Sequence, residues 1–444
     1  MKATRRKFIS QSSTALIGLG ILPGMFIRST ITPPSDIMKI GVIGANGMGW
    51  SDMRSLLKMD DVDCIAICDV DRSVPDRRKK DYSGSRSNPV QLYRDYRKLL
   101  DNKEIDAVVI GTPDHWHCRI MVDALDAGKH VYVEKPLANS VEECYIMEKA
   151  AKKYNKVVQV GQWQRSGTHY QHAIEIVRSG DLGKIRTVKV WAYQGWMKPI
   201  PVKPDSASPE GVDYKMWLGP APDRPFNPNR FHFNFRWYWD YAGGLMTDWG
   251  VHEIDIALYA MNVNAPKSVT ATGGKFAYPD DASETPDTLQ AIFEYDGFTM
   301  LWEHATGING GNYGRTEGIA FIGNNGTLVL NRQGFEIIPE EETQDGKRTF
   351  KMPDMADQPR QGNYLDLHTR NFVEAIRKND PSYAKCPPSS GSTAAINAHM
   401  GNIAFRTGKK IYWDNERHEF KNDAEATSMI SAQYHNGWQL PKIE

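Results

Sequence analysis

Met38-Lys39-Ile40-Gly41-Val42-Ile43-Gly44-Ala45-Asn46-Gly47-Met48-Gly49-Trp50-Ser51-Asp52 is the stretch that decides how this chain folds. A short apolar run (Ile40, Val42, Ile43) enters a glycine-dense turn, and the turn opens a helical stretch from Trp50 to Met59. Strand, tight turn and helix in that order cradle a pyrophosphate. Absent side chains let the backbone approach, and the helix N-terminus supplies oriented N–H groups. An acidic residue at the end of the next strand then holds a ribose hydroxyl. Asp69 stands there, after Val62-Asp63-Cys64-Ile65-Ala66-Ile67-Cys68. Gly44 and Gly49 fit the first and third glycines of G-x-G-x-x-G, while Asn46 takes the second position with Gly47 and Met48 beside it. Asn tolerates left-handed backbone angles, so the turn still forms. Asp69 favours NAD over NADP, because a carboxylate accepts from a free 2′-hydroxyl and repels a 2′-phosphate; Arg72 softens that preference.

Working outward, buried-strand runs at 40–43, 63–68, 107–110, 131–134 and 157–160 alternate with helical patterns near 50–58, 95–101, 116–127 and 140–154. Regular alternation predicts an α/β domain over 38–161, its parallel sheet covered on both faces and its ligand loops at the carboxyl edge. After residue 161 the pattern changes. A helix over 168–178 precedes strand segments at 185–193, 268–276, 288–295, 299–305, 318–323, 327–331 and 334–338. Hairpin signals at Tyr295-Asp296-Gly297 and Asn324-Asn325-Gly326 separate some of them. This predicts an α+β domain over 162–385 with a large open, mostly antiparallel sheet. A late helix over 364–377 and the C-terminal segment, 386–444, are expected to pack back on the first domain.

The 444 residues suffice for two well-buried cores. Lys plus Arg (54) balance Asp plus Glu (54) and no long basic run occurs, which argues against a nucleic-acid partner. The five cysteines show no metal-ligand spacing and leave at least one thiol free; Cys64 and Cys68, four apart on one strand, cannot bridge each other. No metal is expected. At the N-terminus, Thr4-Arg5-Arg6-Lys7-Phe8-Ile9 precedes the apolar run Ala15–Leu22. Paired arginines before a short apolar stretch mark twin-arginine export, so residues 1–35 read as a signal to the periplasm. No Ala-x-Ala site follows, which leaves an uncleaved membrane anchor open.

Two further segments carry chemistry. His130-Val131-Tyr132-Val133-Glu134-Lys135-Pro136 ends a parallel strand in a Glu-Lys-Pro corner, which puts Lys135 near the nicotinamide end of a bound dinucleotide. A lysine there can steady a substrate alkoxide. In Gly243-Gly244-Leu245-Met246-Thr247-Asp248-Trp249-Gly250-Val251-His252-Glu253-Ile254-Asp255, helical spacing sets Asp248, His252, Asp255 and Tyr259 on one polar stripe. His252 is thereby expected beside a carboxylate that orients it, ready to take a proton from an alcohol. Residues 191–241 are rich in Trp and Tyr interleaved with polar groups, which suits stacking on sugar rings; Trp196 and Arg236 are the candidates there. Gln164 and Arg165, just past the fifth strand, and Asp255 complete the expected substrate set.

Together the Gly44/Gly49 turn with Asp69, the Glu134-Lys135-Pro136 corner and Gly243-Gly244…Asp248…His252 resemble the glucose–fructose oxidoreductase / inositol dehydrogenase / rhizopine catabolism protein (Gfo/Idh/MocA) family over about residues 38 to 410. The resemblance implies a Rossmann domain, a C-terminal sheet domain through which copies associate as a homo-oligomer, and hydride transfer on sugars or cyclitols. It implies that Lys135 positions the reacting hydroxyl, that His252 is the acid/base, and that Asp248 orients substrate or histidine. Thr112-Pro113-Asp114-His115-Trp116-His117 matches the family's loop beside the nicotinamide, with Asp114 where Asn is commoner. Thr112, Pro113, His117 and Glu134 thereby join the expected cofactor contacts. The resulting expectation is an exported NAD-dependent enzyme, its cofactor tightly held, that oxidises C3 of a glucoside. A glycosidase working by transient oxidation and elimination, and a non-catalytic sugar-binding protein, stand as alternatives. The glycosidase branch replaces the lysine that Lys135 retains.

Overall fold

The computed structural model describes residues 36–82 and 89–444; the twin-arginine stretch and leader lie outside the described residues. The first domain is a six-stranded parallel sheet in the order β3-β2-β1-β4-β5-β6, formed by Gln91–Tyr93, Val62–Cys68, Met38–Ile43, Ala107–Ile110, His130–Val133 and Val158–Val160 respectively. Every residue of Val62–Cys68 is buried, as an interior parallel strand requires. Each such Val or Ile contributes about 1.5–3 kcal/mol of burial. Crossover helices cover the faces. The one at Val141–Tyr154 starts where Ser140 accepts from the Glu143 amide and stops at Asn155 in the left-handed region.

Two elements of this domain lack a strong sequence signal. Helix Ser73–Tyr82 is built from a charged run that buries only Val74, Pro75 and Tyr82, and β3 is a three-residue edge strand. All five cysteines are buried free thiols.

The second domain carries a ten-stranded sheet, antiparallel throughout except where Thr187–Gln194 (β7) runs parallel to Thr299–Thr306 (β10). The C-terminal segment serves both domains. Its helix Pro388–Thr407 packs on Val141–Tyr154 of the first domain and on Val251–Met261 of the second, while Ile411–Asp414 extends the second sheet beside Ser268–Gly274. Helix Tyr364–Lys378 returns to the first domain, where Asp366 accepts from Ser55 Oγ at 2.6 Å. No helix of the described residues is long and apolar enough to cross a membrane.

Candidate active site

A cavity of about 530 Å³ opens between the carboxyl edge of the parallel sheet and the second domain. The glycine turn forms one end. Gly44 has φ 80, and a Cβ there would lie 2.7 Å from the Gly111 and Thr112 backbone, so only glycine fits. Around Gly47, the residue before helix Met48–Leu56, no atom lies within 4 Å of where a Cβ would stand, which leaves the backbone open to an approaching phosphate. Asp69 directly follows β2 and accepts from the amides of Ala45 (3.0 Å) and Asp71 (3.1 Å). Burial pushes its carboxyl up to about 6, against the pull of those two bonds. A carboxylate has lone pairs to spare for a ribose. Gly44, Asn46, Gly47, Met48, Asp69, Thr112, Pro113 and Glu134 all line this part of the cavity, and these residues fit a dinucleotide.

Second-domain residues wall the same crevice. Asn46 Nδ2 lies 2.9 Å from His232 Nδ1, and His232 Nε2 lies 2.9 Å from Asp71 Oδ2. The Asp213 amide donates to the Val70 carbonyl at 2.9 Å. Asn46 has no positive φ, contrary to the expectation from its place in the turn; Gly44 alone carries the left-handed angle there, and Asn46 is used for its side chain.

At the other end Lys135 Nζ donates to Asp248 Oδ1 (2.7 Å) and to the Asp248 carbonyl (3.0 Å), and Arg236 Nε lies 3.3 Å from Asp248 Oδ2. Burial alone would raise the Asp248 carboxyl, but Lys135 and Arg236 outweigh it and hold it at about 2. Asp248 sits on a wide π turn, Met246–Gly250, that leads into helix Val251–Met261. His252, one turn later, is buried, with its Nδ1 unpartnered and its ring edge-on to Trp163 at 5.6 Å. Burial first, then the charges of Lys135 and Arg332, push its pKa well below 6.5, so the imidazole is neutral and able to accept a proton. Asp248 therefore fixes Lys135 and does not orient His252, because its oxygens are committed to cations.

Asp114 lines the cavity and is buried; burial pushes its carboxyl up to about 8 despite Lys135 and Arg236. Protonated at neutral pH, it offers an O–H donor where an Asn would offer N–H. Above pH 8 it ionises beside Asp248. The kcat/KM profile of Asp114→Asn should therefore follow that of the unaltered protein below pH 7 and stay above it from pH 8 upward. Profiles that coincide to pH 9 would remove Asp114 from the site's proton inventory.

Several expected site residues lie elsewhere. Arg165 and Asp255 pair with each other, buried, at 2.8 Å through both Nε and Nη2, and do not face the cavity. With a helical rise of about 1.5 Å per residue, Asp255 stands about 10 Å along the axis beyond Asp248. Gln164 is spent on Glu253 and Tyr170 inside the core. Trp196 is 56% exposed and does not line the cavity; it meets the lining residue Phe233 edge-on, at the rim. The two His117 nitrogens lie 2.8 Å from the Pro136 carbonyl and 2.9 Å from the Thr112 carbonyl; burial keeps the ring neutral, so its one N–H donates to one of them, and His117 braces the nicotinamide loop from behind. Gly49 is a packing position: a Cβ there would strike the Gly44 carbonyl.

The cavity also takes in Trp163, Trp217, His232, Trp249 and Arg332, which sequence reasoning did not single out as site residues. Trp163 is the neighbour of Gln164, so the strand-end position was the right signal applied one residue late. Arg332 follows β12 (Gly326–Asn331) in a hairpin turn and carries no pattern of its own.

Residues 38–162 match the model of an oxidoreductase family with an NAD-binding Rossmann fold, and residues 166–440 match that family's C-terminal alpha/beta domain. An alpha-N-acetylgalactosaminidase of Shewanella oneidensis is 30% identical over 166 residues, 36% of each chain. A glycosyl hydrolase family 109 protein of Shewanella baltica is 29% identical over 202 residues, 41% of this chain and 44% of the relative. The chain thus spans less than half the length of these curated relatives. Levoglucosan dehydrogenase, solved with NADH and levoglucosan, superposes with a TM-score of 0.63 at 20% identity over 84% of this chain and 99% of the other. The aldose-aldose oxidoreductase of Caulobacter crescentus does so with a TM-score of 0.62 at 19% identity, over 85% and 100%. These two likenesses establish a shared fold. With the two family matches running almost unbroken from the glycine turn to residue 440, the chain belongs to the Gfo/Idh/MocA oxidoreductase family.

Proposed function

We propose that the protein oxidises a secondary hydroxyl of a carbohydrate, C3 of a glucoside in the first instance, at the expense of NAD held in the crevice. The observation that carries this reading is the meeting of Lys135, from the first domain, and His252, from the second, in the cavity that also holds the glycine turn. NAD bound there supplies the hydride acceptor. Lys135, fixed by Asp248, donates a hydrogen bond to the substrate oxygen and stabilises the charge that grows on it. His252 takes the hydroxyl proton; its Nδ1 is buried, so Nε2 is the nitrogen left to meet the substrate. Buried Glu134, pushed up to about 7 by burial against the pull of Lys135, backs the corner beside that lysine.

The second-domain wall over the glycine turn supports a cofactor that stays bound between turnovers, recycled by a second sugar. Its retention suits export through the twin-arginine route to the periplasm. Exposed Ile292 (47%) and Ile338 (43%) on the large sheet support association of copies through that sheet. A second reading, a glycosidase that oxidises, eliminates, adds water and reduces again, is favoured by the likeness to the Shewanella alpha-N-acetylgalactosaminidase. An aryl glycoside offered to purified protein with no added cofactor separates the two. A keto sugar, with NAD retained through equilibrium dialysis, is the expected result. Net release of the aryl alcohol would replace the dehydrogenase by the glycosidase, and rapid loss of NAD would refute retention.

A further inference from the structure

Arg332 lines this site with N–H donors that the proposed chemistry leaves unused. Its guanidinium carbon lies 4.8 Å from the centre of the Trp163 ring and 4.3 Å from that of Trp249. Trp163 is itself stacked on Tyr364 at 4.8 Å, which backs the clamp from the far side. Indole faces attract the cation but satisfy none of its N–H donors conventionally. Nε is buried without a partner, and among the described residues no carboxylate lies within ion-pair distance of the guanidinium. The nearest acidic side chain that bonds this residue, Glu317, accepts from the Arg332 backbone amide at 3.3 Å. By contrast, Arg236 is committed to Asp248 and Lys135 to the same carboxylate. The cavity therefore presents one pre-oriented guanidinium whose fork of donors is open. The two indole faces and the more distant carboxylates of Glu317, Glu253 and Asp248 offset the charge in part, but they leave the N–H donors unmet, and an incoming acceptor supplies those bonds.

The geometry points to Arg332 as the receptor for an oxyanion carried by the sugar, a carboxylate or a sulfate ester. The inference rests on the carbohydrate reading above and narrows it to acidic glycosides. One indole, Trp163, separates Arg332 from His252, so the anion and the reacting carbinol belong to the same sugar residue or to two linked directly. A planar fork matches a carboxylate through two parallel N–H···O bonds, and the same donors serve two oxygens of a sulfate.

The test uses full-length, NAD-loaded protein, with a free aldose in excess to reoxidise the bound NADH, and three sets of methyl glycosides in gluco and galacto configuration: uronides, 6-O-sulfates and the neutral parents. Binding is read from quenching of tryptophan fluorescence, and turnover from keto-sugar formation. At least one anionic probe should bind roughly 10-fold or more tighter than its neutral parent, and the preferred set identifies the oxyanion. Arg332→Gln should lower that preference by about 10–100-fold, chiefly through Kd and KM, because burial and Lys135 still keep His252 neutral, with Arg332→Lys in between. The Lys variant and the unaltered protein decide the matter if the Gln variant does not fold. Neutral parents that bind as well as every anionic probe, or an Arg332→Gln protein that keeps the full preference, would overturn the assignment while leaving sugar oxidation intact. An Arg332-dependent preference with no keto sugar formed would uphold it and sink the dehydrogenase reading instead.

Discussion

Lys135→Met is expected to lower kcat by roughly 10³-fold while NAD binding by titration calorimetry stays as it was. The substitution keeps most of the stem and deletes the ammonium. Two things are lost together: the donor that meets the developing alkoxide, and the main cation that holds Asp248 ionised. Each tenfold step corresponds to about 1.4 kcal/mol of transition-state stabilisation, so the expected loss is that of one strong, buried, charge-assisted hydrogen bond with its local field. KM for the sugar should move far less than kcat, because the bond strengthens as the proton leaves. A Lys135→Met protein within tenfold of normal kcat would take Lys135 out of the chemistry.

The second large effect falls on stability and not on turnover. Arg165→Met strands Asp255 in the core, where both partners are almost wholly enclosed, and should cost about 3–5 kcal/mol in urea unfolding. Arg165 also reaches Ser390 Oγ at 3.2 Å and lies over the Tyr259 ring at 4.3 Å. One side chain thus ties the turn after β6 to helix Val251–Met261 and to helix Pro388–Thr407. Combining Arg165→Met with Asp255→Asn should recover part of the loss, since no charge is then left unpaired. At temperatures where the single variant is folded, its sugar KM should match that of the unaltered protein. A rise of tenfold or more in KM without loss of stability would restore Arg165 to the substrate set.

That pair also shows where sequence reading reached its limit. The glycine turn, Asp69, the Glu-Lys-Pro corner and Asp248 with His252 were legible because each couples a short motif to a fixed place on a strand end or helix, and spacing along the chain is enough to locate them. Arg165 and Asp255 sit in equally suggestive places. What separates them from Lys135 and Asp248 is direction: two charges 90 residues apart in the chain can cancel each other out of sight, and nothing in local periodicity reports it. The π turn at Met246–Gly250 adds a phase shift that a regular helical wheel omits. Arg332 illustrates the opposite failure, a site residue in an ordinary hairpin turn, made visible only when β12 and the turn after β6 are brought to one cavity. Helix Ser73–Tyr82 escaped for a simpler reason: with three buried side chains in ten, it lacks an apolar stripe.

His232 touches Asn46 across 186 residues of chain, and with its bond to Asp71 this clasp bears on how such proteins are taken apart and recombined. Cutting at the boundary between the two family segments would release a nucleotide half with one side of its groove missing. Grafting a foreign sugar half onto it would replace that side as well. Under the function proposed above, preference for a new sugar and grip on the coenzyme would be exchanged together in such a graft.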